Sequence, residues 1–482
     1  MLRCLLMIAC LPLSACQTPG AVIPPGEPPA SAEVWVDGSW GEGGDGSRAR
    51  PFATLAQALI HAGAAPGTLR VHLAPGRYTG PFVLRAGLEL VGEGEGVELV
   101  GEGEVPVVRA PKGATLRGLG LQGGGWGVEA AGPVRLEALR FSGQRAGAVR
   151  MEAGHLTVEG GVFEGSGRGT VGLLLAGPVR AQVRSATFVG AFRRAVEARG
   201  AEVELEGVSF RGPETALYQG EGQVRLRRSK VEGGSGPGVF VQRGVLRLED
   251  VTVTGHEYGL QSLEATLEVR GFTSVRAVRA GLALVGSKGW LEETVVLGSG
   301  SYGGMTLVGS DLEVRGVRVE GADAYGIAVT RGRLRLRRAV LTQLTARDGD
   351  SGDGLHLRDT EVDAEDVKVR DVVGVGVLSA QGSRVTLREV SLEGCKEAGV
   401  QAETLGQVTA VGLEVRGSGG PALVALEAGV LRVEGLSVRD NAGGLVVADC
   451  QGETGVTLGR VKEEGPVPPR GPEAACVART SP

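Results

Sequence analysis

Apolar and polar residues alternate along most of this chain in short runs of period two. In Val245-Leu246-Arg247-Leu248-Glu249, the two leucines share one side while Arg247 and Glu249 take the other. Such alternation predicts β-strands with one buried and one solvated face. The runs recur inside a longer phrase, written GVFVQRGVLRLEDVTVTGHEY from Gly238 and GIAVTRGRLRLRRAVLTQL from Gly326. Copies begin at Gly127, Gly147, Gly172, Ala195, Ala216, Gly238, Gly259, Gly281, Gly304, Gly326, Gly354, Gly376, Gly399, Ala422 and Gly444. A period of about 22 residues sustained over this length marks a solenoid, whose units bury their apolar sides only against their neighbours.

Each copy divides into three strands. Val239 and Val241 belong to one, Leu246 and Leu248 to the next, Val251 and Val253 to the third, with no helical segment between them. This predicts an all-β fold, a parallel β-helix of about 17 turns in which each strand pairs with its counterpart one turn on, wound right-handed as parallel crossovers are. The expected coil spans 34–450, followed by an irregular C-terminal cap over 451–482. Before the repeats come a short strand, Val34 to Gly38, a Gly-rich loop, and the segment PFATLAQALIHAG. Pro51 suits a first helical turn, and Phe52, Leu55, Ala58 and Leu59 fall on one face, so a helix is expected over 51–62, covering the open apolar mouth of the coil.

The order of strand, Val36-Asp37-Gly38, Gly-rich loop, PFATLAQAL and then repeats resembles the opening of bacterial pectin-lyase-like right-handed parallel β-helix proteins. The resemblance covers nearly all of the chain after its N-terminal segment and implies the fold. It carries no motif for one activity, although the family often acts on polysaccharides.

Composition narrows the picture further. The 83 glycines follow no every-third-residue pattern and are expected at the corners of the coil. Lys and Arg total 51 against 56 Asp and Glu, a net charge of −5 spread evenly, which argues against a nucleic-acid partner. Outward positions on adjacent copies carry opposite charges, Glu204 beside Arg225 and Glu206 beside Arg227. Likewise Glu313 precedes Arg335 and Asp363, and Arg315 precedes Arg337 and Glu365. These are expected to form cross-strand pairs, each contributing a few tenths of a kcal/mol.

The first residues, MLRCLLMIACLPLSAC, combine a basic start, an apolar run too short to span a bilayer, and small residues before a cysteine. Leu13-Ser14-Ala15-Cys16 resembles a bacterial lipobox, which implies a signal peptide over 1–15, cleavage before Cys16, and lipid on its sulfur holding the protein to a membrane. By resemblance to the usual sorting pattern, Gln17 implies an outer-membrane lipoprotein facing the periplasm or the cell exterior. The proline-rich stretch within 16–33 reads as an extended tether.

Candidate chemistry gathers at the corner preceding each starting glycine. That column contains His256, Glu257 and Tyr258, then Arg276 and Arg279, Ser301 and Tyr302, Asp323 and Tyr325, then Asp348, Asp350 and Asp353, Arg370 and Asp371, and Lys396 and Glu397. The copy from Gly326 is the longest, its extra length being the loop RDGDSGDG, and solenoid insertions often mark a binding face. Asp348, Asp350 and Asp353 offer clustered hard oxygen ligands for Ca²⁺, without EF-hand spacing. A glycoside hydrolase would pair Asp323 with Asp350. A lyase would use Ca²⁺ on the aspartates with Arg370 or Lys396 as base. The Asp-Asp pair and Gly-His-Gly of polygalacturonases are absent, His256 reads as an ordinary loop histidine, and His356 stands where other copies have a plain strand residue.

Beyond the N-terminal segment three cysteines remain. Cys450 and Cys476 are expected to pair, pinning the tail over the last turn, with Cys395 a buried free thiol or the alternative partner. The expectation is a monomeric, lipid-anchored, non-catalytic binding or structural protein, with polysaccharide as a candidate partner. The alternative is a polysaccharide lyase or hydrolase working at the 323–353 corner.

Overall fold

The computed structural model describes residues 32–480 apart from 65–66, 168, 348, 350 and 466–474. The expected signal peptide, Cys16 and most of the expected tether therefore lie outside the described residues. What is described is a parallel β-helix of about 18 turns with one short helix at its N-terminal end. Every ladder between strands is parallel.

Three sheets run the length of the rod, and the turn from Gly238 shows their roles. Strand Val239–Gln242 lies in sheet C, between Tyr218 and Gln261 of the neighbouring turns. Strand Val245–Thr254 then serves both of the other sheets, Leu246 and Leu248 in sheet A and Val251 and Val253 in sheet B, all four buried. The two strands expected here are thus one strand bent at Asp250, whose backbone is left-handed at φ 54°. Most turns are closed by three such corners. In this turn they are Arg243, Asp250 and Gly255, and in the turn from Gly304 they are Gly309, Gly316 and Gly321. A left-handed corner costs an L-residue roughly 1–2 kcal/mol, which is why so many of the 83 glycines collect there.

The glycine that begins each copy answers a different need. A Cβ on Gly281 would sit 2.7 Å from the carbonyl oxygen of Gly304 one turn on, and one on Gly304 would sit 2.7 Å from that of Gly326. Adjacent turns approach too closely for a side chain at these glycines, whereas the copies that begin with Ala195, Ala216 and Ala422 accommodate a methyl. The interior is otherwise filled by stacked aliphatic residues and by one aromatic column. Phe141, Phe163, Phe188 and Phe210 stack with centroids 4.8, 4.5 and 5.2 Å apart. Their parallel register fixes this spacing, since each phenylalanine pairs directly with the next in sheet B.

Both ends differ in detail from the sequence expectation. The helix covers Leu55–Ala64 rather than 51–62. Phe52 instead bridges to Val36 in extended backbone, and Thr54 starts the helix through a capping box with Gln57. The Gln57 amide donates to Thr54 Oγ1 at 3.3 Å, and the Thr54 amide donates to Gln57 Oε1 at 3.1 Å. Leu55, Ala58 and Ala62 are buried against the first turn.

At the other end the coil does not stop at 450. Gly455–Leu458, Val461–Glu464 and Val477–Arg479 add to sheets A, B and A, with Val456 and Leu458 facing inward as in any other turn. Cys450 and Cys476 are joined by a disulfide, their Cα atoms 5.4 Å apart, and Cys395 is free and buried.

Candidate functional site

The corner between sheets B and C holds most of the residues singled out from the sequence, and two of its aspartates, Asp323 and Asp353, serve the backbone. Asp323 is 6% exposed, and its Oδ1 accepts from the Thr345 hydroxyl and the Arg347 amide, both at 2.9 Å. It ties down the start of the insertion instead of facing a ligand. Asp353 is fully buried at the base of the loop. Its Oδ1 accepts from the Val375 amide at 2.8 Å, and its Oδ2 lies 2.7 Å from His356 Nδ1.

With both oxygens engaged inside the fold, Asp353 is corrected from loop metal ligand to internal anchor. Asp348 and Asp350, which completed the expected Ca²⁺ set and the Asp323 pair, lie outside the described residues. Among the described residues no three His, Cys, Asp or Glu side chains converge to hold a metal. Arg370 is also corrected. It lies on the outer face of sheet B within Glu361–Val372, one residue before the left-handed corner at Asp371, and is engaged by Glu393 at 3.4 Å.

Two histidines expected to be ordinary loop or strand residues are built into the packing of the fold. His256 is fully buried, with Nδ1 3.1 Å from the Gly236 carbonyl, and burial holds its pKa below the usual imidazole range. The His356 ring packs on Tyr325 with centroids 4.4 Å apart. Burial also pushes the Cys395 thiol up to about 12, helped by the charges of Asp353 and Asp371, so it is no nucleophile at neutral pH.

The charge ladders of sheet A have the expected register, and two of the expected pairs form, Arg227 with Glu206 and Arg337 with Glu365. Arg225 and Arg335 do not take the carboxylates aligned with them. Glu204 is aligned with Arg225 and Glu206 with Arg227. Arg227, however, takes both carboxylates, at 2.8 and 3.2 Å. The same happens further along, where Arg337 pairs with Asp363 at 3.0 Å and Glu365 at 2.9 Å while Arg335 makes no ion pair among the described residues. A guanidinium is long and forked, so it reaches both its in-register carboxylate and the diagonal one on the same adjacent turn, and leaves the arginine two residues before it without an ion-pair partner among the described residues.

Sheet C carries a feature that the corner column only half revealed. Its outward positions in successive turns run Leu174, Glu197, Tyr218, Phe240 and Gln261. Arg194 lies over Tyr218, its guanidinium carbon 3.6 Å from the ring centroid, and Tyr218 meets Phe240 edge-on at 5.5 Å. Glu197, fully buried, is surrounded by Arg193, Arg194 and Arg199, with Arg193 at 3.4 Å and Arg194 at 2.8 Å.

Further along the same side, Arg279 donates to the Tyr258 hydroxyl at 3.3 Å and pairs with Glu257 at 3.0 Å. It also lies 5.5 Å from the centroid of Tyr302, itself 48% exposed. Tyr325 and His356 continue the strip. Of the five tyrosines in the chain, all but Tyr78 are therefore on this one side. For Tyr218 and Phe240 the signal is present in the sequence as the column two residues after each starting glycine or alanine, while Tyr258, Tyr302 and Tyr325 belong to the corner just before it.

No family profile and no curated protein matches the chain. Several solved structures overlap it. They include a PL6 family alginate lyase, AlyGC, at 10% identity over 90% of this chain and 93% of that one, TM-score 0.28. A GH87 α-1,3-glucanase catalytic unit from Streptomyces thermodiastaticus overlaps at 11% identity over 91% and 70%, TM-score 0.24. The pectin methylesterase PemA from Erwinia chrysanthemi does so at 10% identity over 93% of each chain, TM-score 0.20. Overlap at this level transfers no activity; the β-helix assignment rests on the strand pairings.

Proposed function

We propose that this chain is a non-catalytic glycan-binding protein that presents sheet C and its corner to a polysaccharide, held at a membrane surface by lipid on Cys16. The observation that carries the reading is the strip of Tyr218, Phe240, Tyr258, Tyr302 and Tyr325 with Arg194 and Arg279 set against its rings. Aromatic rings offer flat apolar area at low entropic cost to the C–H faces of sugars, and guanidiniums beside them donate to hydroxyls or carboxylates. The even advance of one strand per turn suits an extended chain lying along the rod.

The test is binding of the full-length chain to a panel of neutral and acidic polysaccharides, with product analysis in the same tubes. Binding that weakens about tenfold in Tyr218→Ala and Tyr302→Ala, with the polymers recovered intact, is expected. Depolymerised or unsaturated products would overturn the non-catalytic reading in favour of a lyase or hydrolase. Fractionation of cells carrying Cys16→Ala, which should move the protein out of the membrane fraction, tests the anchor.

A further inference from the structure

Sheet A carries a second surface, separate from the aromatic strip and independent of the function proposed for it. Two cavities, of about 360 Å³ and about 200 Å³, lie on its outer face and meet at the exposed side chain of His155. In the smaller one, in-register outward residues form two rows along the rod: Gln182, Glu204, Arg225 and Arg247 in one, and His155, Arg180, Glu202 and Gln223 in the other.

The charges in these rows do not cancel locally. Glu204 is committed to Arg227 at 2.8 Å, and Arg247 is held by Glu268 through contacts of 2.8 and 3.1 Å. Arg180 pairs with Glu202 at 3.1 Å. Arg225 stands between these pairs, exposed and without an ion pair among the described residues. This leaves an open guanidinium in a cleft that also holds the amides of Gln182 and Gln223 and the imidazole of His155, groups that hydrogen-bond sugar hydroxyls, beside the already paired carboxylates of Glu202 and Glu204.

We propose that this cleft is a second binding track, which takes a strand of acidic glycan along the rod axis with a carboxylate or sulfate of one sugar on Arg225. Successive rungs are about 4.8 Å apart, close to the advance per residue of an extended sugar chain, so hydroxyls of sugars two residues apart meet Gln182 and Gln223, which lie two turns apart. A charge-assisted bond to a planar fork is strong and directional, and salt weakens it.

The experiment is equilibrium binding of the full-length protein and its Arg225→Gln, Arg225→Lys and Tyr218→Ala variants to three labelled probes: oligogalacturonate, dextran sulfate and neutral dextran. Arg225→Gln is expected to lose about tenfold in affinity for at least one charged probe, with an unchanged unfolding midpoint. Arg225→Lys should retain part of that affinity, and the component should persist in Tyr218→Ala. Which charged probe responds identifies the carboxylate or the sulfate. Equal binding of neutral dextran, no effect of Arg225→Gln on either charged probe, or loss of the charged component in Tyr218→Ala alone would overturn the second track. A failed aromatic strip would appear separately, as Tyr218→Ala leaving every polysaccharide's binding unchanged.

Discussion

The carboxylate of Glu197 meets the guanidinium of Arg194 at 2.8 Å and has no exposed surface of its own, although it sits on the outer side of sheet C. Arg193 and Arg199 close over it, and Arg194 continues onto the ring of Tyr218. One buried carboxylate thus orders the arginine that shapes the aromatic platform.

Removing that carboxylate should cost more than removing any one of its partners. Glu197→Ala is expected to destabilise by about 2–3 kcal/mol, below the value for a fully dry pair because Arg193 and Arg199 are half in water. Arg193→Ala should cost under about 1 kcal/mol. Chemical denaturation of the two variants checks the order, and equal effects would contradict the anchoring role of Glu197.

Two glycines separate backbone strain from crowding. Gly207 is left-handed at φ 63° with nothing within 4 Å of an added Cβ, so Gly207→Ala should cost about 1 kcal/mol through conformation alone. At Gly281 the same methyl meets Val296 at 2.5 Å and the Gly304 carbonyl at 2.7 Å. Gly281→Ala is therefore expected to cost about 2–3 kcal/mol, with local loss of hydrogen-exchange protection in the turns on either side.

His256 predicts a pH dependence with a definite sign. Burial lowers its folded-state pKa below the ordinary value of 6.5, so below pH 6.5 the unfolded chain binds a proton that the native state does not. Its contribution therefore falls as pH drops from 6.5 toward the folded pKa and is constant above 6.5. Stability measured from pH 7.5 to 5 should decline less steeply in His256→Gln than in the parent, and identical slopes would remove His256 as the cause.

The disulfide acts on the last turn. Cys450 and Cys476 are 26 residues apart, and closing a loop of that size stabilises by about 3–4 kcal/mol on the chain-entropy estimate. Because a solenoid's turns contact only their neighbours, reduction should expose amides of Gly455–Leu458 and Val477–Arg479 to exchange while the turns around Phe188 stay protected. Uniform loss of protection would show that the rod unfolds as one unit.

The repeat of starting glycines and the alternation of Leu246 with Arg247 were enough to establish the parallel coil, its three sheets and its turn length, because strand faces and corner residues are local properties of the chain. The pairing of Cys450 with Cys476 was legible for the same reason, as the two cysteines close to the final turns. The partners of side chains were not local. Whether Arg225 or Arg227 takes Glu204, whether Asp353 faces solvent or the Val375 amide, and which aromatic residues share one side all depend on how far a side chain reaches across neighbouring turns. Sequence alone determined the rod and the register of its outward positions. Only the tertiary structure decided which of those positions are satisfied by the protein itself and which, like Arg225 and Tyr302, stay exposed at the surface.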